Sequence, residues 1–324
     1  MENIKYPAKE VVKAWLRLIR IPNLIILSLI YVMLHVGIYL PIFFSLGISS
    51  PLNGWVFSAF ILSFLMVVAG GNIINDYFDY QIDLINRPSR LSIGKVITFD
   101  QAFMAYLVLT LTGVVGGFIT GWFCGIYKVG FFYGFIALLL YLYSESFKKR
   151  LIIGNFIIAF CGSLSIVLLW LYEFFSLRND APSFILVYPQ FSKINLLMGG
   201  YALFAFLTTM IREILKDIED IEGDQRQGCN TLPIAYGVNI SKRVVFVFVF
   251  LTTLILVFCQ IICFTHQLKL IAIYIFPAIQ LPLFVLIYRL IKANSKNDFH
   301  SISTFMKLIM VAGILGIQLI NIHI

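Results

Sequence analysis

The chain has 324 residues, of which 60% are hydrophobic and only 12% charged. A soluble domain carries about 25% charged residues, so this composition excludes a soluble enzyme or binding module and specifies an integral membrane protein. The net charge of +8 does not point to nucleic acid, because the basic residues gather at the ends of apolar runs, as positive-inside topology requires.

Residues 1–22 read as an interfacial amphipathic helix. Val12, Trp15, Leu16 and Ile19 fall on one face, and Lys9, Lys13, Arg17 and Arg20 hold much of the other, the pattern of a helix lying in the cytoplasmic membrane interface. It fits better than a signal peptide, since the next apolar run is too long and lacks a small-residue cleavage site. Segments long enough to span, at about 20 residues per crossing, follow near 23–46, 54–75, 101–122, 125–144, 151–175, 195–215, 243–265, 268–290 and 303–322. The third and fourth form a hairpin turning at Gly121-Trp122-Phe123-Cys124-Gly125. Residues 176–194 read as an ordinary exposed connection.

Basic residues set the orientation. The N-terminal stretch holds Lys5, Lys9, Lys13, Arg17 and Arg20, and the loops after the even-numbered segments hold Arg87, Arg90, Lys95, Lys148, Lys149, Arg150, Arg226, Lys242, Arg243, Arg289, Lys292 and Lys296. The opposite loops offer little beyond Lys128, Arg178, Lys193 and Lys269. The N-terminus is therefore expected to be cytoplasmic, in a cell inner or plasma membrane. The spans are expected to be nearly free of ionisable residues away from their cytoplasmic ends.

An acidic motif follows the second segment: Asn75-Asp76-Tyr77-Phe78-Asp79-Tyr80-Gln81-Ile82-Asp83. Four spans later, Lys216-Asp217-Ile218-Glu219-Asp220-Ile221-Glu222-Gly223-Asp224 repeats its spacing, so that Asp76, Asp79 and Asp83 map onto Asp217, Asp220 and Asp224. The duplication is parallel, with segments one to four and five to eight entering the membrane with the same polarity. It puts both motifs on the cytoplasmic side, whereas an inverted repeat would separate them. On a helix, Asn75, Asp79 and Asp83 share one face, as do Asp220 and Asp224, with Asp217 one turn earlier.

So many carboxylates repel one another unless cations compensate. Oxygen-only ligands favour Mg²⁺, with Mn²⁺ as an alternative ion, and magnesium takes one or two carboxylates plus waters and substrate phosphates. The two motifs are thus read as one metal-dependent diphosphate site. Arg87, Arg90, Lys95, Lys148, Arg212 and Lys216 flank them, and Arg and Lys are phosphate binders of different geometry. Arg212 lies before its helix has cleared the motif and needs a partner. Asn155 is a polar residue in an apolar helix, open to packing, hydrogen bonding or substrate contact, and Tyr143 is either an interfacial or a pocket residue. The scattered cysteines and isolated histidines show no zinc spacing.

The paired motifs, with Asn86-Arg87-Pro88, Tyr143-Ser144-x-x-x-Lys148, Gly154-Asn155 and Arg20-Ile21-Pro22-Asn23, resemble the UbiA superfamily of intramembrane prenyltransferases over nearly the whole chain. The run Arg212-Glu213-Ile214-x-Lys216-Asp217 through Asp224, with Gly228 and Thr231-Leu232-Pro233, looks most like its geranylgeranylglyceryl phosphate geranylgeranyltransferase branch. Arg90-Leu91-Ser92-Ile93-Gly94-Lys95 departs from the proline-bearing loop of many relatives. The resemblance implies an all-α single domain over 1–324, with nine helices around a central cavity under cytoplasmic helical caps. It implies one Mg²⁺ on Asn75, Asp79 and Asp83 and a second on Asp217, Asp220 and Asp224, gripping a polyprenyl diphosphate donor. Ionisation leaves an allylic cation in an aromatic-lined cavity, to be attacked by the hydroxyl of a lipophilic acceptor whose phosphate Lys148 or Arg212 holds. Two alternatives stand beside this reading: prenylation of an aromatic quinone precursor, and a cation transporter using the carboxylates as an ion site.

Overall fold

The computed structural model describes residues 6–265 and 267–321. Lys5, His266 and His323 lie outside the described residues, as does the side chain of Arg90. Among the described residues, nine helices are long and apolar enough to cross a membrane, and the regular structure is helical. In chain order the helices are α1 (Ala8–Leu18), α2 (Ile21–Ser45), α3 (Gly54–Phe78), α4 (Tyr80–Asn86), α5 (Phe99–Phe123), α6 (Gly130–Glu145) and α7 (Ile153–Arg178). There follow α8 (Ala181–Val187), α9 (Phe191–Glu219), α10 (Ile221–Arg226), α11 (Leu232–Tyr236), α12 (Val238–Thr265), α13 (Lys269–Lys292), α14 (Lys296–Leu315) and α15 (Gln318–Asn321).

The chain divides into two compact units. The first comprises Met1–Ser28, Gly54–Lys149 and Glu222–Cys229. Helix α5 starts from a capping box, in which the Thr98 hydroxyl accepts from the Gln101 N–H at 3.2 Å and the Gln101 side chain accepts from the Thr98 N–H at 3.1 Å. Small residues then let α5 approach its neighbours closely, as in lipid-embedded packing generally. A methyl group at Gly113 would stand 2.6 Å from the Ser63 carbonyl oxygen, and one at Gly117 would stand 2.4 Å from the Tyr133 ring. The expected hairpin forms, closed by Gly125 in the left-handed region at φ 72°. The expected apolar face of α1 is split. Ala14 and Leu18 are buried against Ile73, Ile93, Ile97 and Ala102, with Trp15 and Ile19 packed beside them, while Val12 and Leu16 point outward.

The second unit comprises Leu29–Asn53, Arg150–Ile221 and Asn230–Ile324. Its core joins Ile211, Ile214 and Leu215 of α9 to Val245 and Val249 of α12, Leu283 and Leu286 of α13, and Ile302 and Met306 of α14. Wide π turns interrupt α2 at His35–Tyr39 and α13 at Phe276–Gln280. Pro41 and Pro282 stand two residues beyond these turns, and a proline lacks the N–H and crowds the preceding turn of a regular helix.

Two expectations are corrected here. Residues 176–194 are largely exposed, as expected, but helical rather than a loop: α7 runs to Arg178 and α8 restarts at Ala181. Pro182 sits at the first turn of α8, where its missing N–H costs nothing. Nor are the spans free of ionisable groups away from the motif end. Glu173 of α7 is wholly buried, with an oxygen 2.8 Å from Nδ1 of His35. A buried carboxylate needs such a partner, so the histidine does not stand alone.

Candidate active site

The repeat legible in the motifs extends to their backbone. Helix α3 ends at Phe78 and α9 ends at Glu219, each one residue before the middle aspartate. Asp79 sits at φ −81°, ψ 0° and Asp220 at φ −98°, ψ 7°. The third aspartates, Asp83 and Asp224, ride on the short helices α4 and α10. The expected continuous helix is therefore a long helix, a bend and a short helix. The bend keeps the i→i−4 bonds, from Asp79 N–H to the Asn75 carbonyl at 2.9 Å and from Asp220 N–H to the Lys216 carbonyl at 2.8 Å, so the shared face survives.

In the first unit, cations sit directly on the motif. Lys148 forms an ion pair with Oδ2 of Asp79, and Asn75 Nδ2 donates to the same oxygen at 2.7 Å. Arg20 Nη2 lies 2.6 Å from Oδ1 of Asp76. Arg20 adopts the left-handed region at φ 56°, a conformation costly for a side-chain-bearing residue, and Asn72 Nδ2 holds the preceding carbonyl, of Ile19, at 3.0 Å. Burial works against the charge on Arg20 and on Lys148, but Asp76 and Asp79 respectively outweigh it and hold both cations more firmly protonated than usual. Tyr143 lies within electrostatic range of both.

Asp83 carries the excess negative charge. Burial, then repulsion from Asp76 and Asp79, pushes its carboxyl up to about 6, against the pull of Lys148 and Arg87. The segment Glu222–Cys229 of the second motif belongs to this unit. Gly223 N–H donates to Asn86 Oδ1 at 3.0 Å, and the buried Asp224 lies within electrostatic range of Lys148. Burial and Asp224 push the neighbouring Cys229 thiol up to about 11. Lys95 is turned to its own loop, donating to the Pro88 carbonyl at 2.7 Å.

In the second unit, Asn155 Nδ2 donates to Asp217 Oδ2 at 2.7 Å, so the buried amide positions a motif carboxylate. The partner that Arg212 needed is Glu213, whose Oε1 lies 2.8 Å from Arg212 Nη1 and 2.7 Å from Lys216 Nζ. His300 Nδ1 is 3.0 Å from Glu219 Oε1. Arg20, Asn86 and Glu213 stand in the motifs of the sequence without an expected site role, and the structure places each against a motif residue or its flanking cation. Arg20 was absorbed into the amphipathic helix pattern.

The donor set suits a hard divalent cation. It is oxygen-only, and Asp83, disfavoured as a carboxylate first by burial and then by Asp76 and Asp79, is a group whose charge such an ion would stabilise. Among the described residues, no three His, Cys, Asp or Glu side chains gather closely enough to hold one ion by themselves. Waters and substrate oxygens must complete the shell, as is usual for magnesium.

Comparisons with known proteins agree in kind. The family model described as the UbiA prenyltransferase family matches residues 26–310. The digeranylgeranylglyceryl phosphate synthase of Methanocaldococcus jannaschii is 32% identical over 93% of this chain and 93% of its own length. That of Methanosphaera stadtmanae is 30% identical over 77% of this chain and 82% of its own. A solved digeranylgeranylglyceryl phosphate synthase structure superposes with a TM-score of 0.55 at 29% identity, covering 95% of this chain and 99% of that one. A UbiA homologue from Archaeoglobus fulgidus, bound to GPP and Mg²⁺, superposes with a TM-score of 0.58 at 15% identity over 94% of this chain and 99% of its own, a likeness of fold.

Proposed function

We propose a specific reaction for this chain, which belongs to the UbiA prenyltransferase family and is a prenyltransferase: transfer of a geranylgeranyl group from its diphosphate to the hydroxyl of geranylgeranylglyceryl phosphate. The observation that carries the acceptor is the likeness to the Methanocaldococcus jannaschii synthase over 93% of both chains.

In this reading the C1–O bond of the donor breaks and its electron pair leaves with the diphosphate. The acceptor oxygen forms the new bond to C1, and its proton departs with the diphosphate. Asn75, Asp79 and Asp83 would contribute ligands to one divalent ion, and Asp217, Asp220 and Asp224 to a second, with waters and donor oxygens completing each shell; such ions would neutralise charge on the departing diphosphate. Asp76 serves chiefly to hold Arg20. Lys148, Arg20 and Arg87 bring positive charge to the leaving oxygens, a stabilisation worth several kcal/mol in a site closed to water. Asn75 and Asn155 orient Asp79 and Asp217. Arg212 and Lys216 receive the acceptor phosphate. The motifs and the N-terminus lie on the cytoplasmic side, the side that the basic residues favour.

The test is an acceptor panel. Purified protein with Mg²⁺ and labelled geranylgeranyl diphosphate is offered geranylgeranylglyceryl phosphate, hydroxybenzoate or a naphthoate. A labelled diether phosphate with release of diphosphate is expected. Equal or faster transfer to an aromatic acceptor would overturn the assignment.

A further inference from the structure

We propose that Asn72 is a positioning residue: it pins the backbone beside Arg20 in the left-handed turn that delivers the guanidinium to the first motif. The inference rests on the proposed reaction, in which Arg20 brings positive charge to the departing diphosphate.

Arg20 stands in the turn between α1 and α2, just past the end of α1 at Leu18. The residue that turns left-handed after a helix is most often glycine, which has no side chain to crowd the backbone. This chain has an arginine there, at φ 56°. Such a conformation persists only where its surroundings hold it, and the backbone is held on both sides. Downstream, the Arg20 carbonyl accepts from the Asn23 N–H at 2.8 Å, in the opening turn of α2. Upstream, the Ile19 carbonyl accepts from Asn72 Nδ2 at 3.0 Å, across 53 positions of sequence.

The side chain is held as well. Arg20 Nη2 lies 2.6 Å from Oδ1 of Asp76. Asn72 and Asp76 are four residues apart on α3 and so share a face. One grips the backbone next to Arg20, and the other grips its guanidinium. Apolar packing closes around both contacts: Leu18 and Ile19 lie in one cluster with Ile73 and Tyr77, the residues that follow Asn72 and Asp76.

The task requires an amide. A backbone carbonyl only accepts, so its partner must donate. The second motif carries Glu213 at the position of Asn72, and a carboxylate cannot donate. The first copy thus has a donor where the carbonyl of the N-terminal arm arrives. Asn72 also satisfies a carbonyl at the end of α1, where helical partners run out. If it were only such a cap, its loss would cost the same with any residue at position 20.

The test is a double-mutant cycle on purified protein in detergent, read by diphosphate release from geranylgeranyl diphosphate with Mg²⁺. Arg20→Met is expected to lower kcat/KM for the donor about a hundredfold, the scale of removing one group that stabilises developing charge. Asn72→Ala is expected to cost about tenfold in the wild-type chain and less than about twofold in the Arg20→Met chain, because its effect passes through the guanidinium. Equal losses in both backgrounds would mean that Asn72 caps α1 and nothing more, and would overturn the inference. An unimpaired Asn72→Ala would overturn it too. Should Asn72→Ala fail to fold, the near-isosteric Asn72→Leu carries the same cycle with the same outcomes. Release is measured with whichever acceptor the panel shows to be used, so a wrong acceptor does not decide this test. Arg20→Met at the wild-type rate overturns the placement of Arg20 in the reaction and this inference with it, whereas a slow Arg20→Met without coupling overturns this inference alone.

Discussion

The side-chain oxygen of Asn86 accepts a hydrogen bond from the backbone N–H of Gly223 at 3.0 Å, across 137 positions of sequence. It ties the short helix α4 after the first motif to the short helix α10 that carries the end of the second. A methyl group at position 223 would stand 2.4 Å from Asn86 Nδ2. Gly223→Ala is therefore expected to destabilise the protein by about 1–3 kcal/mol, the usual cost of overpacking. Asn86→Ala in the same chain should recover part of that loss, and thermal unfolding in detergent measures both.

Asp79→Ala and Asp220→Ala should each reduce kcat/KM by at least about a thousandfold, with membrane expression intact. Both residues close a long helix next to a cation or a paired carboxylate, and neither contributes apolar core. Normal turnover of either variant with added Mg²⁺ would refute the site.

Lys148 is paired to Asp79 and close to Asp224. If Lys148 faces the leaving diphosphate as proposed, Lys148→Met should cost about 10²–10³-fold in kcat. Lys148→Arg should retain a measurable part of the rate. Steady-state rates at saturating donor separate the two variants.

The Asp83 carboxyl at about 6 sets a pH dependence. Its folded-state value lies above the ordinary 3.8. The metal-free fold thus holds a proton that the unfolded chain releases, and its stability falls as pH rises from about 4 to about 6. Metal affinity runs the opposite way, because the ion needs the carboxylate. Below pH 6 the Mg²⁺ requirement should rise by up to about tenfold per pH unit, and Asp83→Asn should flatten that slope.

Glu173 and His35 form a buried polar pair far from the motifs: Glu173 lies 18 residues along α7 from Asn155, about 27 Å at helical rise. Glu173→Ala leaves the histidine without its carboxylate and should cost about 3–5 kcal/mol of stability. Glu173→Met together with His35→Leu should restore most of it. Acceptor preference should be unchanged in the double variant.

What the sequence disclosed was whatever repeats. Span lengths, the hairpin at Gly125 and the register of the aspartates followed from periodicity, because each is fixed within a few turns of one helix. What stayed hidden depends on contacts distant in sequence or on competing local partners. Arg20 meets Asp76 across 56 positions, and no helical wheel registers a residue that has left the helix at φ 56°. Asn155 offered packing, a hydrogen bond or substrate contact, and only its distance to Asp217 decides for the hydrogen bond. Glu173 hid inside a strongly apolar run, where one carboxylate scarcely lowers the average. The helix at Ala181–Val187 was masked by its flanking Asn-Asp and proline, which mark a helix start as readily as a loop.

The two helices that end at Phe78 and Glu219 also aim their C-terminal carbonyls toward the motif residues. Each such terminus carries the equivalent of about half a negative charge from its macrodipole. That field adds to the aspartates and repels a bare diphosphate more strongly than one whose charge is reduced by bound magnesium. On the proposed reaction, such a field should favour the magnesium-complexed donor over the free ester. Initial rates should track the concentration of the magnesium complex, and free diphosphate ester in excess of the metal should act as a poor substrate.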